Sequence, residues 1–412
     1  MVACNLIELW RLKTKTTQGR PFEAFSNIVE FSFDSILSAA IGLGPEGGDI
    51  KRQWTHLSAF QDTDACKVDN NLSMDEPVTV PVAETSAKLA ALGINEESLW
   101  KGFYMPWPRL YHRINKLRPS VRKAGRELRG YIESQIRSNV PKLRNGGRPE
   151  SALDYVIQRE ITAAEKAGRE PFLADPRIRD EIYGYLIAGH DTSTGSMIWL
   201  MRRLMAHPDQ QTKIRDNLHE TYAVAWKEKR LPTCAELVKR PAPYLDAFIE
   251  EVLRFNCPVV TILVATRMDT LVLGHPIPGD TLVFLNLTGP SFNKLSVPVE
   301  ESVRSATAQK YKPPRADWDE LDPTVFRPER WLKKDDNGQT VFSASSGPTL
   351  AFSAGNRGCW GKRLGYLELK IVLSLLIWSF EFELPESLVS WETYDSLVTA
   401  PKQCLMRVTE LS

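Results

Sequence analysis

The stretch Phe352-Ser-Ala-Gly355-Asn-Arg357-Gly-Cys359-Trp-Gly361 runs straight into an apolar helical pattern from Lys362 to Phe380. It sets one cysteine at the tip of a glycine-hinged loop, with an arginine two residues before it and a helix start just after. A helix N-terminus and a neighbouring cation both favour an anionic sulfur, which is the form that ligates metals. Gly355, Gly358 and Gly361 allow close backbone approach to something flat, Phe352 adds an aromatic face, and Arg357 can reach a carboxylate with two parallel hydrogen bonds. A lone cysteine is more often a small buried hydrophobe. The surrounding loop is what points instead to a thiolate ligand for a haem.

Position by position, these ten residues are similar to the FxxGxRxCxG signature of the cytochrome P450 family. The resemblance implies a mainly α fold with small β-sheets, haem b held through Cys359, and contacts to it from Phe352, Gly355, Arg357 and Gly361. Arg357 would pair with a haem propionate. The family's second propionate arginine usually sits in the strand after the ExxR helix. This chain has Leu263 and Val264 there and an arginine slightly later, so the carry-over falls on Arg267.

Upstream, Pro176 to His207 carries the longest helical pattern, with Asp175 as N-cap and Pro208 as stop. Its middle reads Ala188-Gly-His190-Asp191-Thr192-Ser193. Small residues leave room on one face there, and Thr192 can bond to its own helix backbone. On their own, Asp191 and Thr192 could be ordinary surface residues. The segment resembles the family's oxygen-binding AGxDT motif, by which Thr192 would hold bound oxygen or a water and Asp191 would relay protons. His190 occupies the motif's variable position and reads as structural or solvent-facing.

Tyr244 to Asn256 is an amphipathic helix with Glu251 and Arg254 three apart on one face, and Arg330 lies in the proline-set Phe326-Arg-Pro328-Glu329-Arg330-Trp331. An isolated ExxR carries little information. Its place in the order long helix, ExxR, PER, cysteine loop resembles the family's structural network of Glu251, Arg254 and Arg330, which would fix one arrangement more than add stability.

The remaining chain reads as helices at Asn5 to Lys15, Phe22 to Gly42, Ser120 to Val140 and Leu364 to Trp378. Gly44 to Asn71 reads as loop. Arginines of the Ser120 to Val140 helix fit a solvated face. Val259 to Thr266, Thr270 to Leu273 and Thr281 to Leu285 read as strands joined by a Pro276 to Gly279 turn, with short strands in Ser387 to Leu411. No Gly/Ser linker divides the 412 residues, which read as one haem domain spanning 1–412. A balance of 52 basic and 51 acidic residues gives no argument for nucleic acid. The six cysteines are scattered without a CxxC pair, so no zinc site or disulfide framework is indicated.

The family resemblance further implies a monooxygenase that oxidises a hydrophobic small molecule with O2, in fungal secondary metabolism, using electrons from a separate NADPH-cytochrome P450 reductase. Substrate would touch Tyr183 to Gly189, Val259 to Ala265 and Val398 to Ala400. Two other readings stay open: a haem-thiolate isomerase or dehydratase needing no reductase, and a shortened non-catalytic homologue. Relative to the family pattern, the anchor, first strands and propionate-gripping helix would precede Met1. A full-length form is then expected at the endoplasmic reticulum membrane, and the chain as given to be cytoplasmic or unanchored, with the strands of Val259 to Leu285 left without pairing partners.

Overall fold

The computed structural model describes residues 2–43, 47–60, 68–69, 71–295, 299–310 and 322–411. The fold is mainly helical with small antiparallel sheets, as expected. It is built around one rod, the long helix Pro176–Ala206, whose 31 residues span about 46 Å. Asp175 caps its start by accepting from the Arg177 amide.

The rod serves two apolar cores in turn. In its first half, a stripe of Ile178, Ile182 and Leu186 packs with Leu89 and Leu92, Leu128 and Ile132, and Ile36 and Leu37 of three neighbouring helices. In its second half, Met197 to Met205 is buried almost all round, against Leu6 and Trp10 of the first helix (Val2–Thr16), Phe248 and Val252 of the ExxR helix (Pro243–Phe255), and Leu373 and Ile377 of the terminal helix (Lys362–Ser379). The Ala188 to Ser193 segment lies where one core gives way to the other.

Several elements differ from the sequence reading. Phe22 and Glu23 are not helical but pair with Met406 and Leu405 in a three-stranded sheet completed by Phe380–Glu383. The helix begins at Phe25, whose amide donates to the Glu23 carboxylate. Helical spacing could not reveal a strand partner nearly 400 residues away. Inside the expected Gly44 to Asn71 loop, Asp49–Phe60 is a helix, because Asp34 of another helix accepts from the Asp49 and Ile50 amides at 2.8 and 3.0 Å and so caps it from outside. The rest of that call falls partly outside the described residues, as does Cys66. The helix Ala87–Phe103 stops just before Pro106 and Pro108, and Ala152–Lys166 is a further helix in a stretch that the sequence reading leaves unassigned. Pro208 is not only a stop: it opens the next helix, Pro208–Thr221.

The strands near residues 259–285 form two separate hairpins. Thr261–Ala265 pairs with Leu282–Asn286, and Thr270–Val272 with His275–Ile277. The turn therefore sits at Leu273 and Gly274, both with positive φ, not at Pro276 to Gly279; Pro276 instead lies in a two-stranded edge where its missing amide hydrogen is harmless. Each of these strands is therefore paired, with one neighbour among the described residues, rather than left without a partner.

Candidate active site

Cys359 follows a short 3-10 turn, Gly355–Arg357, and stands just ahead of the 18-residue terminal helix. The loop is held by the Cys359 amide donating to the Phe352 carbonyl at 2.8 Å and the Gly358 amide donating to Gly355 at 3.0 Å. Gly355, at φ +62°, makes the reversal, and Ser353 adopts a left-handed conformation (φ 55°) that L residues visit rarely. Phe352 packs beside Tyr366, ring centroids 4.8 Å apart, and the Tyr366 hydroxyl donates to Glu250. Gly361 caps the helix start beside the sulfur.

These residues fit a haem. The Cys359 thiol is free and exposed, Arg357 is exposed and makes no ion pair among the described residues, and the loop between them is open. A thiolate at Cys359 would be the axial ligand and Arg357 a propionate partner. Arg267, by contrast, is exposed in the bend after Ala265, and no hydrogen bond or ion pair joins it to the cysteine loop.

The ExxR network is complete and buried. Glu251 takes a bidentate pair from Arg254 at 2.8 and 2.9 Å, and also accepts from Arg330 Nε at 3.1 Å, the Arg327 amide at 2.8 Å and Trp331 Nε1 at 2.9 Å. Arg254 and Arg330 then donate to backbone carbonyls of Phe292, Pro323, Asp322 and Val325, which ties the segment before the cysteine loop to the ExxR helix. The role of Trp331 was not read from sequence.

On the opposite side, the Thr192 hydroxyl donates to the Ala188 carbonyl at 2.7 Å. Ser193 donates to Glu368 of the terminal helix at 2.7 Å, and this bond brings the Asp191-Thr192 turn to the helix that starts beyond Cys359. Burial raises Glu368 to about 7 against opposing bonds from Ser193 and Ser35, beside an apolar cavity of about 340 Å³ lined by Phe31, Ile36 and Leu367. The hint for Glu368 in the sequence was an acidic residue inside an otherwise apolar helix. Asp191 is half-buried and lifted to about 6, by desolvation first, then by Glu96; His190 and a 3.5 Å bond from Ser396 oppose the rise. His190 is buried, so its structural reading holds and the solvent-facing one does not.

Of the expected substrate contacts, Val398 packs on Gly195 of the long helix beside Pro258: a Cβ at Gly195 would lie 3.4 Å from Val398 and 3.2 Å from Pro258. The Thr399 amide donates to the Pro258 carbonyl at 2.8 Å. Tyr185 and Ala188 on the long helix remain exposed, as does Leu263 on the hairpin.

Comparison with known proteins agrees with this architecture. The family model for cytochrome P450 matches residues 70–294 and 318–407. A cytochrome P450 monooxygenase of the Hps1-dma1 cluster in Dothistroma septosporum is 39% identical over 277 residues, 63% of this chain and 87% of that protein. The monooxygenase xilC of Penicillium rubens is 32% identical over 97% of this chain and 68% of its own length. In fold, the crystal structure of the cytochrome P450DA haem domain superposes with a TM-score of 0.64 at 16% identity, over 99% of this chain and 73% of that one.

Proposed function

Because the chain belongs to the cytochrome P450 family of haem-iron monooxygenases, we propose that it oxidises a hydrophobic small molecule in fungal secondary metabolism, with electrons from an NADPH-dependent P450 reductase. The observation that carries the reading is the Ser193–Glu368 bond, which fixes the proton-handling turn against the helix leaving the thiolate loop. When bound, the haem supplies the oxygen-activating chemistry. The chain's own residues do the rest: Cys359 would ligate, Arg357 would orient, Thr192 would offer a hydroxyl on the oxygen side, and Asp191, lifted to about 6, can hold a proton and give it up near neutral pH. The exposed apolar side chains of Val260 and Leu263, among the expected substrate contacts, support a hydrophobic substrate. A relative named for the Hps1-dma1 cluster supports the pathway reading.

We also infer association with a membrane surface such as that of the endoplasmic reticulum. Among the described residues no helix is long and apolar enough to cross a bilayer. The helix Pro108–Asn115 and its flanks nevertheless expose Tyr104, Trp107, Leu110, Ile114 and Leu117, interleaved with Arg109, Arg113 and Lys116 and with no acidic residue between Phe103 and Arg118. Apolar anchors among basic residues suit an anionic lipid surface. Sedimentation with phosphatidylserine vesicles should be lost in a W107S/L110S variant; equal binding by both proteins would refute the site.

The enzymatic test is the reduced carbon monoxide spectrum of the 412-residue chain, followed by turnover of a hydrophobic substrate library with NADPH and reductase. A strongly red-shifted Soret band with NADPH-dependent oxygenated product is expected. Haem binding without thiolate character, or product formation independent of NADPH, would overturn the monooxygenase reading, the latter in favour of an isomerase or dehydratase.

A further inference from the structure

Immediately before Asp191, the long helix carries a buried acid–base pair that the chemistry above does not use. His190 Nδ1 lies 3.1 Å from Glu96 Oε1, and the two residues are only 4% and 9% exposed. They come from separate elements: Glu96 is in the helix Ala87–Phe103, 94 residues away in sequence. The imidazole cannot swing freely. Ser32 donates to the His190 carbonyl at 2.7 Å, Phe33 meets the ring edge to face at 6.0 Å, and the helix Phe25–Ala40 presses so closely that a Cβ at Gly189 would fall 2.4 Å from Ile36. Burying such a pair is costly, and apolar side chains would fill the space at least as well.

We propose that Glu96 and His190 are positioning residues whose paired charges set the protonation of Asp191. This rests on the reading of Asp191 as the residue that hands on protons. A carboxylate at Glu96 favours the protonated Asp191, and an imidazolium at His190 opposes it. The other groups facing this cluster are Tyr394 and Ser396 from the C-terminal hairpin, Tyr183 on the long helix, and Glu368 on the terminal helix. Burial and the neighbouring carboxylates hold both tyrosines near 12, so neither ionises in the working range, while Glu368, which also feels His190, changes charge near 7.

The test is a carboxyl carbon-13 titration of the full chain labelled at aspartate, with Asp191 assigned from the D191N spectrum. E96Q should lower the Asp191 midpoint and H190Q should raise it, each by about half a pH unit or more, a roughly threefold change in proton affinity. Opposite signs are the mark of charge. Two shifts of the same sign, as repacking would give, or no shift in either variant, would overturn the proposal. Should E96Q fail to fold, an unmoved midpoint in H190Q overturns it alone. If these shifts appear while the haem-loaded D191N enzyme keeps wild-type product yield, the tuning stands and the proton-relay reading falls.

Discussion

Ser193 Oγ donates a 2.7 Å hydrogen bond to Oε2 of Glu368, across 175 residues of chain, and so joins the middle of the long helix to the helix that follows Cys359. Burial raises Glu368 to about 7, whereas an unfolded glutamate titrates near about 4.3. The folded chain therefore binds this proton more tightly than the unfolded one. Its stabilising contribution is present below the unfolded value and is lost as pH rises through about 7. Asp191, Asp34 and Glu30, at about 6, 6 and 7, act in the same direction. The melting temperature should fall between about pH 5 and about pH 8, and less steeply in E368Q, which keeps a partner for Ser193 but cannot ionise. An unchanged slope in E368Q would show that the carboxylate is not the source.

Glu251 leads to a different expectation, because its loss strands two guanidiniums. The side chains of Glu251, Arg254 and Arg330 are all fully buried. E251A should cost ~3–5 kcal/mol, the penalty of uncompensated buried charge, measured as a drop in the urea midpoint at constant slope. The Phe326 to Trp331 segment should also become more open to proteolysis, since Arg327 and Trp331 lose their acceptor.

How legible this was from sequence follows from where each partner lies. The cysteine loop, the long helix and the Glu251, Arg254 and Arg330 set are written in local spacing and order, and they stand where that spacing placed them. Glu96, Glu368 and Asp34 act on partners 94, 175 and 15 residues away, through side chains whose types are ordinary for helix surfaces. No periodicity encodes such meetings. The Asp49–Phe60 helix was missed for the same reason, its cap being supplied by another helix.

Thr192 separates chemistry from folding. Among the described residues its hydroxyl bonds only to the Ala188 carbonyl in its own helix, in a partly exposed position, so T192A should change stability by no more than about 1 kcal/mol. In the haem-loaded enzyme with reductase, the same variant should consume NADPH yet yield several-fold less oxygenated product and more peroxide. Wild-type coupling in T192A would remove Thr192 from the oxygen side. C359A, in contrast, should lose the thiolate Soret band altogether.

The paired strands Thr261–Ala265 and Leu282–Asn286 turn one apolar face outward. Leu263 stands opposite Phe284 and Ala265 opposite Leu282, and Phe284 and Leu282 are 64% and 57% exposed. Alternation places Ile262, Val264, Val283 and Leu285 on the other face, half-buried except at Leu285, so the outward residues can be changed without touching that packing. Two strands whose outer edges have no partner among the described residues, with an apolar face, are a template for association between copies of the chain. Static light scattering at rising protein concentration should show self-association that F284K reduces, while its melting temperature stays close to that of the unmodified chain. Equal scattering by the two proteins would mean that this hairpin face is not where the copies meet.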